Sequence, residues 1–368
     1  MSLDDAKRSL TNLQFPYEVK NDEFTVTIPM RRNDVSMRED LVEEIGRLYG
    51  YDHIVGKLPR QDGKRGEYKG TVGLRKAISK RLRSLGLNET RTYTLISPEM
   101  DAKFTYNRRE AIPLLKPMSA DKSIIRQSIL PSLLNVYEYN LARNTKNVNI
   151  YEIANTYSDV DKEETKLAIL MSGEYITNEW QGLKVKADFY VLKGILENLL
   201  TYLGYEGRFD IVPAGDIPDM HPGATGIVNI DNRPVGYIGR VHPSVTKGEV
   251  YVLEISFSEL AAKKTRAFKF KELNKYPSVQ KDVAFVMPKS MSSMEVENAI
   301  KKAAGKLLKT VNVFDLYEGD NVGEDEKSIA YSLTFEDETR TLKTEEVNDL
   351  FNKVIDEVCK KLGLEIRK

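Results

Sequence analysis

The stretch Ser328-Ile329-Ala330-Tyr331-Ser332-Leu333-Thr334-Phe335 alternates apolar residues with small or polar ones without a break. Successive side chains of a strand point to opposite faces, so this alternation predicts a strand with one buried side. Downstream, Val347, Leu350, Phe351, Val354, Ile355, Val358 and Leu362 recur at helical spacing. They predict a helix over Glu345–Leu362, with a short strand at Leu364–Arg367 after it. Upstream lie a strand at Asp282–Met287, a helix opened by Ser292-x-x-Glu295, and a strand at Thr310–Tyr317.

The resulting order, βαββαβ over residues 275–368, is that of a ferredoxin-like unit. It is an arrangement that hosts many functions and settles none. This segment carries 15 basic and 18 acidic residues, a net charge of −3. That is unfavourable for a general RNA-binding surface. Local patches remain, because screening limits electrostatic reach to about 8–10 Å. Lys301, Lys302, Lys306 and Lys309 gather around the end of one helix, and Lys353, Lys360 and Lys361 lie along another. Each patch is either a phosphate contact or solubilising charge.

Residues 71–262 mix helices and strands without βαβ alternation, which favours α+β architecture with an antiparallel sheet. Helices are predicted at Val72–Leu85, Ser128–Arg143 and Asp188–Leu203. Strands are predicted at Thr90–Ile96, Val148–Ile153, Thr165–Ser172, Gly226–Ile230, Pro234–Gly239 and Glu249–Ile255, with a hairpin turn at Asp231-Asn232. The helix after Val72 carries Arg75, Lys76, Lys80, Arg81 and Arg83. That is a solvated face or a phosphate-facing one. Charged, glycine-containing stretches at 59–70 and 263–274 read as linkers.

Residues 1–58 contain an alternating extended stretch, Phe24–Ile28, and then Arg31-Arg32-Asn33-Asp34-Val35-Ser36-Met37-Arg38-Glu39-Asp40-Leu41-Val42-Glu43-Glu44. Ser36 and Glu39 form a Ser-x-x-Glu cap that sets a helix start, and Gly50 is a natural stop. At about 100° per residue, Asp40, Glu43 and Glu44 share one helix face, and Leu41, Ile45 and Leu48 another. Asp34, Asp40, Glu43 and Glu44 are hard oxygen donors. They make either half of a magnesium site or a solvated face tied by ion pairs to Arg47. Met1-Ser2-Leu3 reads as an added leader, and the chain then begins mid-pattern, as though cut from something longer.

The chain has 368 residues, enough for two or three domains, and its 55 basic residues balance 55 acidic ones. No global basic field advertises nucleic acid. One cysteine, Cys359, can make no internal disulfide, which favours a reducing compartment such as the cytosol. No apolar run is long enough to span a membrane, and no signal-peptide pattern opens the chain. Phosphate loops, dinucleotide fingerprints, zinc-protease motifs and nucleophile elbows are all absent from the sequence. His221 and His242 each precede proline, where a structural turn is the expected role. Arg126, just before an apolar helix, could clamp a carboxylate or phosphate, or make a structural ion pair.

Several stretches together resemble the C-terminal half of the beta subunit of bacterial phenylalanine–tRNA ligase. Ile28-Pro29-x-x-Arg32-x-Asp34 through Asp40-Leu41-Val42-Glu43-Glu44-Ile45-x-Arg47-x-Tyr49-Gly50-Tyr51 is similar to that family's magnesium-lined α/β module. Arg126-Gln127-Ser128-Ile129-Leu130-Pro131 and Gly236-Tyr237-Ile238-Gly239-x-Val241-His242-Pro243 resemble its catalytic-like class II synthetase domain. Tyr276-Pro277-Ser278-Val279-x-x-Asp282, Phe314-Asp315-Leu316-Tyr317 and Arg340-Thr341-Leu342-Lys343 resemble its anticodon-binding domain.

The resemblance implies an α+β multidomain chain: a truncated magnesium-lined module (1–58), a non-catalytic class II core (71–262) and a ferredoxin-fold anticodon-binding domain (275–368). It implies Mg²⁺ on Asp34, Asp40, Glu43 and Glu44 at a site shared with the alpha subunit. It also implies an α2β2 assembly, ATP bound only through alpha, tRNA(Phe) as partner, and a cytoplasmic location. Lys301, Lys302, Lys306, Arg340 and Lys343 are the tRNA-facing candidates, and no catalytic residue is expected on this chain. The family's oligonucleotide-binding and editing domains do not fit within these residues, so editing is not expected of this chain. Two other functions stay open at this point: a self-sufficient class II ligase, and a free-standing RNA-binding module.

Overall fold

The computed structural model describes all residues except 59, 61, 62, 64, 65, 105, 108, 266–268, 271, 320, 321 and 368. Much of the two expected linkers therefore lies outside the described residues. The chain divides into two compact units, Met1–Thr90 and Arg91–Lys368.

The first unit holds α1 (Leu3–Asn12), β1 (Tyr17–Lys20), β2 (Glu23–Val26), α2 (Arg38–Tyr49), the basic helix α3 (Gly70–Ser84) and a short extended pair, β3 (Asn88–Glu89). The sequence reading missed α1. Ser2 caps it: the hydroxyl accepts the Asp5 amide at 3.2 Å, and the Asp5 carboxylate accepts the Ser2 amide at 2.9 Å. The expected leader thus takes part in a helix start. β1 and β2 form an antiparallel hairpin through Asn21 and Asp22, both at positive φ (53° and 64°), which a two-residue turn of this hand needs. Leu10, Phe15 and Val35 make a small core, against which Leu41 and Ile45 of α2 pack.

The second unit begins with small elements: β4 (Leu95–Ile96), α4 (Pro98–Asp101), β5 (Ile112–Pro113) and β6 (Ile124–Ile125). Of the strand expected over Thr90–Ile96, only the last two residues pair, with β6. Next come α5 (Leu130–Leu141), β7 (Val148–Asp159), β8 (Lys162–Ser172), the hairpin β9 (Glu174–Asn178) and β10 (Leu183–Lys186), and α6 (Phe189–Tyr202). They are followed by β11 (Phe209–Pro213), β12 (Met220–Ile230), β13 (Arg233–Val241), β14 (Val250–Ser256) and α7 (Phe257–Ala262). Six strands of this unit run in the order β11-β12-β13-β14-β8-β7, each neighbouring pair antiparallel. Asp231 and Asn232 make the anticipated turn, both at positive φ. Leu130, Leu133 and Leu134 of α5 bury against Val148, Ile150, Leu170 and Val252 of the sheet. Pro131 sits in the first turn of α5, where its missing N–H costs nothing.

The chain closes with β15 (Val279–Pro288), α8 (Ser293–Ala304), β16 (Leu308–Tyr317), β17 (Glu326–Phe335), α9 (Thr344–Leu362) and β18 (Glu365–Ile366). The sheet order β16-β17-β15-β18 is the ferredoxin-like one expected from the alternation at 328–335. Ile329, Tyr331, Leu333 and Phe335 are buried with Val347, Val354 and Val358 of α9. Ser292 caps α8, as predicted. The whole is a mixed α+β chain of several domains. Among the described residues, no helix is long and apolar enough to cross a membrane.

Candidate metal centre and nucleic-acid interface

The acidic stretch is organised by Arg32, whose role the sequence alone does not show. The Arg32 guanidinium donates to both oxygens of Asp34, Nε to Oδ1 at 2.9 Å and Nη2 to Oδ2 at 2.6 Å. Nη2 also donates to Glu44 Oε1 at 2.6 Å. The second Glu44 oxygen accepts from Arg47 at 2.6 Å. Both carboxylates are held below their ordinary pKa, first by hydrogen bonds from Arg32, and Arg32 is pushed up by the same bonds.

Glu44 is buried, so the expected solvated acidic face does not include it, and Leu48 on the supposed inner face is 42% exposed. Helical geometry explains this. Glu44 lies only about 40° round the helix from Asp40, on the border of the apolar side, and turns inward to meet Arg32.

The helix start also differs from expectation. Asp40, not the Ser36/Glu39 pair, closes it: its Oδ2 accepts the Ser36 amide at 2.8 Å and the Met37 amide at 2.9 Å. These bonds, Met37's foremost, lower the Asp40 pKa, while the nearby Asp34 charge raises it. Two amide donors on one carboxylate satisfy orphan groups at the helix N-terminus, where negative charge is favoured. Glu43 is exposed.

The donor set can be weighed against Mg²⁺ chemistry. Among the described residues, no three His, Cys, Asp or Glu side chains converge on one cation position. Magnesium commonly takes one or two carboxylates and keeps several waters. The Oδ1 of Asp40 and exposed Glu43 suit such a water-rich, shared position. Asp34 and Glu44 do not while their oxygens hold arginines.

In the terminal domain, Lys301 is drawn to Glu297 at 2.6 Å, one helical turn back. Arg340 forks onto Glu346 at 2.8 and 2.5 Å and lies 3.5 Å from Asp337, so its guanidinium faces carboxylates. Lys343 and Lys306 are exposed. Lys302 lines a cleft between α8 and α9 together with Lys360, Lys361 and Glu357. The structure therefore joins the two lysine patches of the sequence at Lys302, and Arg340 and Lys343 are not part of that lining.

Arg126 resolves toward the structural alternative. It is 1% exposed, 3.2 Å from Glu152, and donates to the Thr92 hydroxyl at 2.6 Å. The histidines serve turns: His221 Nδ1 accepts the Gly223 amide, and His242 Nδ1 accepts that of Ser244.

Residues 54–257, more than half the chain, match the family described as phenylalanyl tRNA synthetase beta chain CLM domain. The chain belongs to the phenylalanine–tRNA ligase beta-subunit family. Its first 51 residues match the tRNA synthetase B5 domain, and residues 274–367 match the ferredoxin-fold anticodon binding domain, in agreement with the strand order found there. Similar relatives in this family are the phenylalanine–tRNA ligase beta subunits of Geobacillus kaustophilus (36% identity over 376 residues) and Shouchella clausii (37% over 379), each aligned with 100% of this chain. That of Bacillus subtilis is 37% identical over 352 residues, covering 93% of this chain. The chain spans about half the length of the curated relatives it matches, 47% of the first two and 44% of the third. Among solved structures, a pyrrolysyl-tRNA synthetase from Desulfitobacterium hafniense is similar over 51% of this chain and 66% of its own, with 15% identity and a TM-score of 0.39. A likeness that low carries no fold assignment.

Proposed function

We propose that this chain is a non-catalytic part of a phenylalanine–tRNA ligase. It would hold the catalytic alpha subunit in an α2β2 assembly and approach tRNA(Phe) through its terminal domain, in the cytoplasm. ATP would enter the reaction only on alpha. The observation that carries this reading is the succession of three family matches, in order, along nearly the whole chain. It is supported by Arg126, whose guanidinium is committed to Glu152 and Thr92 rather than turned toward a phosphate. The proposed division is 1–58, linker 59–70, 71–262, linker 263–274 and 275–368.

The expected test result is no phenylalanine-dependent ATP–pyrophosphate exchange by the chain alone, and exchange once alpha is added. Exchange by the chain alone would contradict the proposal.

Within this reading, the acidic stretch is a magnesium half-site. Mg²⁺ would supply a positive charge shared between carboxylates of two subunits. Asp40 and Glu43 would bind it, Asp34 would join only if it released Arg32, and Glu44 only if it released Arg32 or Arg47. The Asp40→Ala/Glu43→Ala variant should then need more magnesium than the wild type to assemble with alpha. Equal assembly across the titration would refute the half-site.

In the terminal domain, Lys301, Lys302, Lys306, Arg340 and Lys343 remain the proposed tRNA contacts. Lys302 and Lys306 are placed best, because Lys301 and Arg340 already face carboxylates.

A further inference from the structure

The Arg32 guanidinium stands where a bridging cation would stand. Its Nη2 lies 2.6 Å from Asp34 Oδ2 and 2.6 Å from Glu44 Oε1, so one positive nitrogen touches an oxygen of each carboxylate. The two carboxylates belong to different segments, the turn after Pro29 and helix α2. That turn holds the arginine in place. The Arg32 amide donates to the Pro29 carbonyl at 2.9 Å, and the Val35 amide donates to the Arg32 carbonyl at 3.2 Å. The buried Phe15 ring backs the guanidinium, 5.4 Å from Cζ to the ring centroid. An aromatic face favours a cation, and reduced access to water strengthens its pull on both acids. Arg47 takes the remaining oxygen of Glu44 at 2.6 Å.

Charge and exposure decide what this arrangement does to a second cation. Four carboxylates, Asp34, Asp40, Glu43 and Glu44, against two guanidinium groups, Arg32 and Arg47, leave a net −2, half of what the acids alone would carry. A magnesium-sized ion binds oxygen at about 2.0–2.1 Å and wants near-octahedral surroundings. It cannot share Asp34 Oδ2 or Glu44 Oε1 with Nη2, because two cations that close repel strongly. The arginine is nevertheless at the rim of its core. Its side chain is 22% exposed and that of Asp34 is 63% exposed. Side-chain rotation therefore carries the guanidinium into water without moving the turn.

We infer that Arg32 is the resident cation of the acidic stretch and competes with a divalent ion for Asp34 and Glu44, so that the chain alone holds the ion weakly. The inference rests on the half-site reading and adds a regulation to it. Any contact that draws Arg32 away raises the affinity for the ion, and by linkage the ion favours that contact.

The test titrates Mn²⁺ onto the full chain, counts the free ion by electron paramagnetic resonance, and then displaces the bound ion with Mg²⁺. Arg32→Gln should tighten binding about tenfold and Arg47→Gln about threefold, as the loss of one nearby positive charge requires. Arg47→Gln leaves the turn untouched, so it keeps the test open if Arg32→Gln does not fold. In the wild type, Mg²⁺ should speed hydrogen exchange at the Arg32 Nε–H, which donates to Asp34 at 2.9 Å. Asp40→Asn/Glu43→Gln identifies the site by losing the ion. Equal or weaker binding in both arginine variants, with binding still lost in Asp40→Asn/Glu43→Gln, would overturn the competition and leave the half-site standing. Binding by none of these chains, or binding that Asp40→Asn/Glu43→Gln retains in full, would remove the half-site and the inference with it.

Discussion

Removing the Arg126 guanidinium should destabilise the second unit more than any surface change. The residue is 1% exposed and Glu152 is 3% exposed. The arginine reaches Glu152 at 3.2 Å, the Thr92 hydroxyl at 2.6 Å and the Asn155 carbonyl at 3.3 Å. Arg126→Met keeps the length and apolar stem of the side chain but strands the Glu152 carboxylate. Its remaining partners would be the Thr92 amide at 3.1 Å and hydroxyl at 2.7 Å. Breaking a buried pair from one side costs roughly 3–5 kcal/mol, mostly because a buried charge is left uncompensated. Against typical stabilities of roughly 5–15 kcal/mol, that is a large fraction. Adding Glu152→Gln removes the stranded charge while keeping a group that can accept from Thr92, so the double variant should recover more than half of the loss. Urea unfolding followed by far-ultraviolet circular dichroism measures both, and an unchanged slope would assign the shift to stability. A loss under about 1 kcal/mol for Arg126→Met, or a double variant no better than the single one, would refute the reasoning.

Three further outcomes follow from the same geometry. Phe285 in the terminal core is fully buried and meets Tyr331 at 6.1 Å, so Phe285→Ala should cost about 3–5 kcal/mol in an unfolding titration. The Asp40 carboxyl is held low by the Met37 and Ser36 amides, so its stabilisation is complete above the unfolded value of about 3.9 and is lost as pH falls through the lower folded one. Hydrogen exchange at the Ser36 and Met37 amides should therefore lose protection in acid, and Asp40→Asn should abolish that pH dependence. In tRNA binding by the chain with alpha, Lys302→Ala and Lys306→Ala should each reduce the salt dependence by about one unit of slope, whereas Lys301→Ala, already paired with Glu297, should change it less.

The terminal domain was legible because β15, α8 and α9 each bury one side and β17 alternates apolar with small residues. Ser328, Ala330 and Ser332 on the other face of β17 are buried too, and β16 and β18 have no buried residue. The alternation at Ile329–Phe335 and the stripe at Val347–Leu362 appear as buried residues of one core. The hairpin β9–β10 was not legible, since most of its side chains are exposed and no alternation marks an inner face. Helix α1 had a readable signal, Ser2 and Asp5 followed by Ala6, Ser9 and Leu10, hidden by taking the first residues as a leader. At the acidic stretch, sequence supplied the four carboxylates but not their partners. Ser36, Glu39 and Asp40 could all close the helix start, and only the folded backbone shows that Asp40 does. Arg32 is a hub because the turn at 32–35 returns it to α2, and spacing along the chain does not encode that return. The Arg126–Glu152 pair spans 26 residues and two elements, so either of its two earlier meanings fitted the sequence equally well.

The most direct measurement is sedimentation velocity of the chain mixed with a phenylalanine–tRNA ligase alpha subunit in saturating magnesium. The account predicts one faster species containing both chains in equal numbers, with little of either left free. Separate boundaries for the two chains, unchanged at any magnesium concentration, would contradict it.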